Sequence, residues 1–150
     1  MAYFPLFVSL DHLPCLVVGG GRVALRKVRT LLEYGAEVMV TAPELDAELE
    51  EVPGITIHKR EFKESDLNDI QLVFAATSDE ECNRRVSRLC RERRILINVA
   101  DVPEECDFYF PALVRRGDVV VGVSTGGKSP AAAKKIKEKI DSCLPRSLSE

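Results

Sequence analysis

An apolar run, three glycines and an amphipathic helix, in that order, constrain this chain more than any other feature. Cys15 to Val18 is a four-residue apolar run suited to a strand buried on both faces. Gly19, Gly20 and Gly21 follow at once. From Arg22 to Tyr34 the apolar residues Ala24, Val28, Leu31 and Leu32 recur at helical spacing, and Gly35 offers a left-handed stop. Read as a motif, Gly19-x-Gly21-x-x-Ala24 is the strand–turn–helix fingerprint of a dinucleotide site. Gly19 takes the tight turn, Gly21 has no Cβ to block a pyrophosphate, and Ala24 keeps the helix close to the sheet. The free N–H groups and positive dipole end of the helix would face the phosphates. A glycine-rich turn without a ligand is the alternative, and the strand before and helix after weigh against it.

Strands and helices then alternate. Glu37 to Thr41, Ile55 to Lys59, Leu72 to Ala76 and Ile95 to Val99 read as strands, and the charge-free fourth belongs inside a parallel sheet. Asp79 to Arg94 is a charged helix capped by Ser78 or Asp79, while Ala47 to Glu51 and Ser65 to Leu67 are short helical turns. The alternation predicts an α/β fold, a Rossmann-like doubly wound parallel sheet. Open sheets of this kind bind ligands at the carboxyl ends of their strands, where Thr77 follows the fourth strand and Asp101 the fifth. An acid past the second strand commonly holds the ribose hydroxyls. Here Thr41-Ala42-Pro43 occupies that stretch, Glu44 is the first acid, and no arginine is present. The ribose contact therefore stays open, with NAD favoured over NADP.

Val102-Pro103 breaks the pattern. Phe108 to Pro111 is an aromatic cluster, Asp118 to Ser124 a sixth strand, and Thr125 to Pro130 a second glycine turn. Ala131 to Cys143 closes the chain as a helix with Ser129 as cap and Pro130 at its first position. Residues 1–111 are thus expected as a nucleotide-binding Rossmann domain, and residues 112–150 as a small C-terminal α+β segment. Charge divides in the same way. Residues 111–150 hold 8 of the 21 Lys and Arg but only 4 of the 24 Asp and Glu, in a chain of net charge −3. This basic stretch is either a solvated helix face or a wall for an anionic ligand. It has no aromatic residue to stack bases, so nucleic acid is not expected. The turn Gly126-Gly127-Lys128-Ser129 lacks the spacing of a P-loop.

Several classes are excluded by what the sequence lacks. No apolar run approaches the roughly 18 residues of a membrane span. The start has no basic region followed by a long apolar stretch, so a secretory signal is not expected. The cysteines (Cys15, Cys82, Cys90, Cys106 and Cys143) are odd in number and form no C-x-x-C pair. That favours reduced thiols in a cytoplasm over disulfides or a zinc site. His12 and His58 stand apart, so no resident metal is expected.

Together these stretches resemble the precorrin-2 dehydrogenase family, the domain that opens bifunctional siroheme synthases and also occurs alone. The matching residues are Leu6-Phe7, Val17-Val18-Gly19-Gly20-Gly21-x-Val23-Ala24-x-Arg26-Lys27 and Ala75-Ala76-Thr77. Asn98-Val99-x-Asp101-x-Pro103, Phe108-x-Phe110-Pro111 and Ser124-Thr125-Gly126-Gly127-x-Ser129-Pro130 complete the match over nearly the whole chain. The resemblance implies NAD-dependent oxidation of precorrin-2 to sirohydrochlorin on the route to siroheme. In some relatives it also implies a lyase step, ferrous iron insertion into the product. It gives Asp101 the catalytic role and cofactor contacts to Arg22, Val23, Pro43 and Glu44. It further implies a homodimer through residues 112–145, with the tetrapyrrole held between the nucleotide domain and that region. Relatives often continue into a further helical segment, and the bifunctional ones into a methyltransferase half. This chain stops at Glu150, so methylation is not expected.

The residues agree chemically. Dehydrogenation removes a hydride and a proton, and a carboxylate at Asp101 beside the crevice is placed to accept the proton. Capping the turn ahead of Pro103 is the equally simple alternative for Asp101. A uroporphyrinogen-derived ring carries eight carboxylates, which Arg115, Arg116, Lys128 and Lys134 would screen or bind, with Thr125 and Gly126 in the turn beside them. Lys137 and Lys139 read better as a solvated face. Two other classes share the glycine loop. A non-catalytic NAD-binding regulatory Rossmann module needs neither Asp101 nor the second glycine turn. A methyltransferase using S-adenosylmethionine wants an acid at the end of the second strand, absent here.

Overall fold

In a computed structural model, which describes residues 3–145, the apolar run becomes the middle of a parallel sheet. Residues 1–2 of the expected first domain and 146–150 of the expected second lie outside the described residues. The elements of the first unit, Leu6–Phe108, follow the predicted alternation. They are β1 (Pro14–Val18), α1 (Arg22–Glu33), β2 (Glu37–Thr41), α2 (Ala47–Glu50), β3 (Thr56–His58), β4 (Leu72–Ala75), α3 (Glu80–Arg93) and β5 (Leu96–Val99). Short 3-10 turns cover Glu64–Leu67 and Pro103–Glu105. The strand order is β3-β2-β1-β4-β5, all parallel. This order puts the charge-free strand β4 inside the sheet, as its composition requires.

Register lines the apolar residues up across the sheet, with Val17 opposite both Val40 and Phe74. Phe74, Leu16, Val17, Val40 and Ile97 are fully buried. A side chain of this size contributes about 1.5–3 kcal/mol by leaving water. On α1 Ala24, Val28 and Leu31 are buried as the periodicity marked, but the fourth buried residue is Leu25, and Leu32 is only half-buried. Gly35 takes φ +82° just beyond that helix, the left-handed stop its position predicted. Asp79, one of the two caps considered for α3, accepts from the Glu81 and Cys82 N–H groups.

Among the described residues the second unit comprises residues 3–5 and 109–145. Sequence periodicity assigned one strand here, and the structure has two. β6 (Ala112–Arg116) pairs antiparallel with β7 (Val119–Val123), followed by α4 (Pro130–Cys143). The strands join through a two-residue turn with Gly117 first, at φ +57°. Arg116, one of the residues considered for substrate, instead pairs with Asp141 and ties the hairpin to α4. Ser129 caps α4 by accepting from the Ala132 N–H, as its position predicted. Tyr3 packs edge-on against Tyr109, with ring centroids 4.4 Å apart.

Candidate functional site

The carboxyl ends of β1, β2, β4 and β5 open into one cleft of about 940 Å³. Gly19, Gly21, Arg22, Val23, Pro43, Glu44, Thr77 and Asp101 all line it, although they come from four separate stretches of the chain. Ala24 lies beneath, fully buried against the sheet.

The three glycines serve different ends. Gly19 has φ +130°, and a Cβ there would sit 2.3 Å from the Ala76 carbonyl oxygen. At Gly20 a Cβ would meet the Glu44 carbonyl oxygen at 1.9 Å, so this glycine allows the loop to close against the segment after β2. That closure is fastened by two hydrogen bonds, Gly19 N–H to Thr41 O (3.0 Å) and Asp46 N–H to Gly20 O (2.7 Å). Gly21 differs. Its φ of −89° is open to any residue, and a Cβ would meet nothing within 4 Å. Neither backbone nor packing demands a glycine there, which leaves approach of a ligand as the physical reason for one.

The helix that starts at Gly21 supports the same reading. Side chains of Asp46, Asp79 and Ser129 cap α2, α3 and α4, whereas α1 has no side-chain cap and no acid in its first turn. Its first N–H groups and dipole end are therefore available to an anion. The residues present fit a dinucleotide, with the pyrophosphate on Gly21 to Val23. Glu44 is exposed in the lining beyond β2, where a carboxylate accepts from ribose hydroxyls and repels an added phosphate. Asp46, the next acid, is occupied in capping α2.

Thr77 reaches the cleft wall, but its hydroxyl is engaged. Its one proton has Asn83 Oδ1 (2.8 Å) and the Asp79 carbonyl (2.9 Å) within reach, and its oxygen accepts from the Asp79 N–H (3.1 Å). Asn83 in turn donates to the Thr77 carbonyl (3.0 Å) and holds the turn between β4 and α3. Periodicity alone did not mark Asn83, a polar residue 6% exposed on the inner face of a charged helix.

Asp101 stands exposed at the opposite end of the cleft, with φ +62°. Under its turn lies a polar cluster that sequence reasoning missed. Asn98 donates through Nδ2 to the Phe108 carbonyl (2.9 Å) and accepts from Lys27 Nζ (3.0 Å). The Cys106 thiol accepts from the Val99 N–H (3.2 Å) and lies within reach of the Val99 and Val102 carbonyls (3.2 and 3.4 Å). Lys27 Nζ also sits 5.1 Å from the centroid of the Phe74 ring. Burial pushes the Lys27 ammonium down to about 8, against the opposing pull of Cys106 and Asp101, while Arg26 lowers it further.

The remaining predicted residues, Arg115, Thr125, Gly126 and Lys128, belong to the second unit. Arg115 and Lys128 are exposed. The Thr125 hydroxyl accepts from the Ser129 N–H and donates to the Ser129 carbonyl, both at 3.0 Å, closing the turn around Gly126 at φ +63°. No group of three or more His, Cys, Asp or Glu side chains among the described residues is placed to hold a metal ion.

Comparison with known proteins bears on both units. Residues 6–112 match the NAD(P)-binding family profile, and residues 116–142 match the profile described as sirohaem biosynthesis protein, central. The chain belongs to this NAD(P)-binding family of siroheme biosynthesis. Among curated members of the family, the siroheme synthase of Methylococcus capsulatus is 42% identical over 97% of this chain and 31% of its own length. That of Thioalkalivibrio sulfidiphilus is 45% identical over 97% of the chain and 30% of its own length. The chain thus spans about a third of these relatives. A solved family structure, SirC, precorrin-2 dehydrogenase, superposes with a TM-score of 0.80 at 29% identity. The match covers 96% of this chain and 72% of that one.

Proposed function

We propose that this chain oxidises precorrin-2 to sirohydrochlorin with NAD as acceptor, with Asp101 as the group that takes the proton. The observation that carries the reading is one cleft lined both by a glycine loop whose Gly21 serves no need of the fold and by a carboxylate at the far strand end. NAD, when bound, supplies the hydride acceptor. Gly21, Arg22 and Val23 hold its pyrophosphate, and Glu44 and Pro43 border its ribose. Asp101 accepts the substrate proton that must leave with the hydride. The same carboxylate would serve ferrous iron insertion, in which pyrrole N–H protons depart and the tetrapyrrole holds the iron.

The cleft lining carries six acids (Glu44, Asp46, Glu61, Asp79, Glu81, Asp101) against two arginines, Arg22 and Arg85. Such a lining repels a ring of carboxylates. In the second unit the exposed Arg115 and Lys128, with the turn at Thr125 and Gly126, are the groups we propose for binding carboxylates. Wild-type protein incubated with precorrin-2 and NAD should yield NADH and the sirohydrochlorin spectrum together. Tight NAD binding with neither product would instead favour a regulatory nucleotide-binding module.

The second unit exposes Val119 and Ile136 on its hairpin and helix. This supports a homodimer through residues 112–145. Light scattering at micromolar protein is expected to give twice the chain mass of 16.7 kDa, and a monomer mass would refute the pairing. All five cysteines are free thiols, which supports a cytoplasmic setting.

A further inference from the structure

We infer that Lys27 is a positioning residue for Asp101, acting from beneath the turn that presents the carboxylate to the cleft. The inference rests on the dehydrogenase reading above for the role of Asp101 and on geometry within the first unit for the rest.

Lys27 lies in the second turn of α1, four residues beyond Val23, the last residue of that helix to line the cleft, and does not line the cleft itself. Its side chain reaches residues of β4 and β5. Its Nζ donates to Asn98 Oδ1 at 3.0 Å and lies over the Phe74 ring. An ammonium taken from water is costly unless its charge is matched nearby. A carboxylate that favours the charged form of Lys27 is Asp101, in the turn after β5 and three residues beyond Asn98. The other titratable groups acting on it are the Cys106 thiol, which stabilises the charged form, and Arg26, which opposes it.

The hydrogen bonds define what that ammonium does. An Asn amide can turn over, and its donor and acceptor ends are fixed only by partners. Lys27 can only donate, so Asn98 must present Oδ1 to it and Nδ2 to the Phe108 carbonyl. Asn98 Nδ2 also reaches Cys106 Sγ (3.5 Å), and that sulfur grips Val99 and Val102 on either side of Asp101. Asp101 sits in the left-handed region, which among residues other than glycine Asp and Asn enter most readily. Asn98 and Cys106 lie along the chain on either side of that turn and, with Lys27, fasten its flanks. Through that turn they position the carboxylate, with the half-buried Lys27 ammonium as a neighbouring positive charge.

Two measurements test this. In the first, Lys27→Met and Lys27→Arg are compared with wild type for turnover of precorrin-2 and for NAD affinity. A displaced catalytic group commonly costs on the order of 10²-fold, so Lys27→Met should lose about 10- to 100-fold in kcat with NAD affinity within about two-fold. Lys27→Arg, which keeps the charge, should recover part of the loss. Equal kcat for Lys27→Met and wild type overturns the inference, as does a loss that Lys27→Arg deepens. The second measurement needs no turnover and no folded Lys27 variant. Lysine-labelled wild type and Asp101→Asn are titrated by NMR. Lys27 should titrate apart from the surface lysines, near pH 8, and lower still in Asp101→Asn, where the favourable carboxylate charge is gone. A Lys27 titration that does not move in Asp101→Asn overturns the inference. Should wild type make no NADH, the dehydrogenase reading falls, and this titration alone decides whether Lys27 and Asp101 are coupled.

Discussion

Asp101→Asn is expected to lower turnover of precorrin-2 by about 10²–10⁴-fold, the usual contribution of a general base. Asparagine is the informative substitution because of the backbone. At φ +62° Asp101 occupies the left-handed region, which Asp and Asn enter with little penalty. Asn therefore keeps the shape, size and turn of the wild type and removes only the basicity. Alanine at the same position would add backbone strain of about 1–2 kcal/mol and blur a chemical effect with a structural one. NAD affinity should stay near wild type, because Gly19 to Val23 lie at the end of a different strand. The measurement pairs initial rate with melting temperature and NAD affinity. A rate within a few-fold of wild type would remove Asp101 from the chemistry. A lower melting temperature with normal turnover of the folded fraction would make it a turn cap.

A comparable loss, in binding rather than rate, is expected at the glycine loop. Gly21→Asp should abolish measurable NAD binding, since a carboxylate would stand where the pyrophosphate must lie and would accept from the N–H groups at the head of α1. The fold should tolerate it, because φ at residue 21 suits any side chain and a Cβ there meets no neighbour. Aspartate is also a good helix cap, so the melting temperature should hold or rise. Gly20→Ala gives the contrast. Its methyl would fall 1.9 Å from the Glu44 carbonyl oxygen, a backbone atom that can yield only if the loop opens. That variant should lose stability first and affinity as a consequence. Calorimetric titration with NAD alongside thermal melts separates the two. Unchanged NAD affinity in Gly21→Asp would sink the dinucleotide assignment.

These neighbouring glycines show where reading the chain as text succeeds and where it stops. The β1–loop–α1 unit was legible because its signals are local: an apolar run, turn glycines, a helical period. The fingerprint treats Gly20 as a free position, yet Gly20 is the glycine packed most tightly, against a residue 24 positions away. Strand β6 went unread for a related reason. Its residues Ala112 to Arg116 end in two arginines, and only Val114 is buried, so the alternation that marks a strand is faint. The Gly117-Asp118 turn was the available signal. Asn83 and the Lys27–Asn98–Cys106 cluster left no periodic trace: Asn83 and Cys106 bond back across irregular turns to Thr77 and Asn98, and only the sheet order brings Lys27 to Asn98. Asp101 was legible as a carboxylate at a strand end. Its left-handed backbone was not.

The position of β1 also orders how the chain acquires its site during synthesis. Made first, β1 ends up between β2 and β4, so half of its ladder waits for residues 72–75. Until then the backbone of Cys15 to Val18 has one open edge, which water or a stray strand can occupy. The glycine loop waits as well, because the carbonyl that Gly19 lies against belongs to Ala76. A chain leaving the ribosome thus cannot shape its phosphate cradle from the glycines alone. The cradle forms when the fourth strand docks, after Ala76 has emerged, and the turn bearing Asp101 can settle only later, once β5 has paired with that strand.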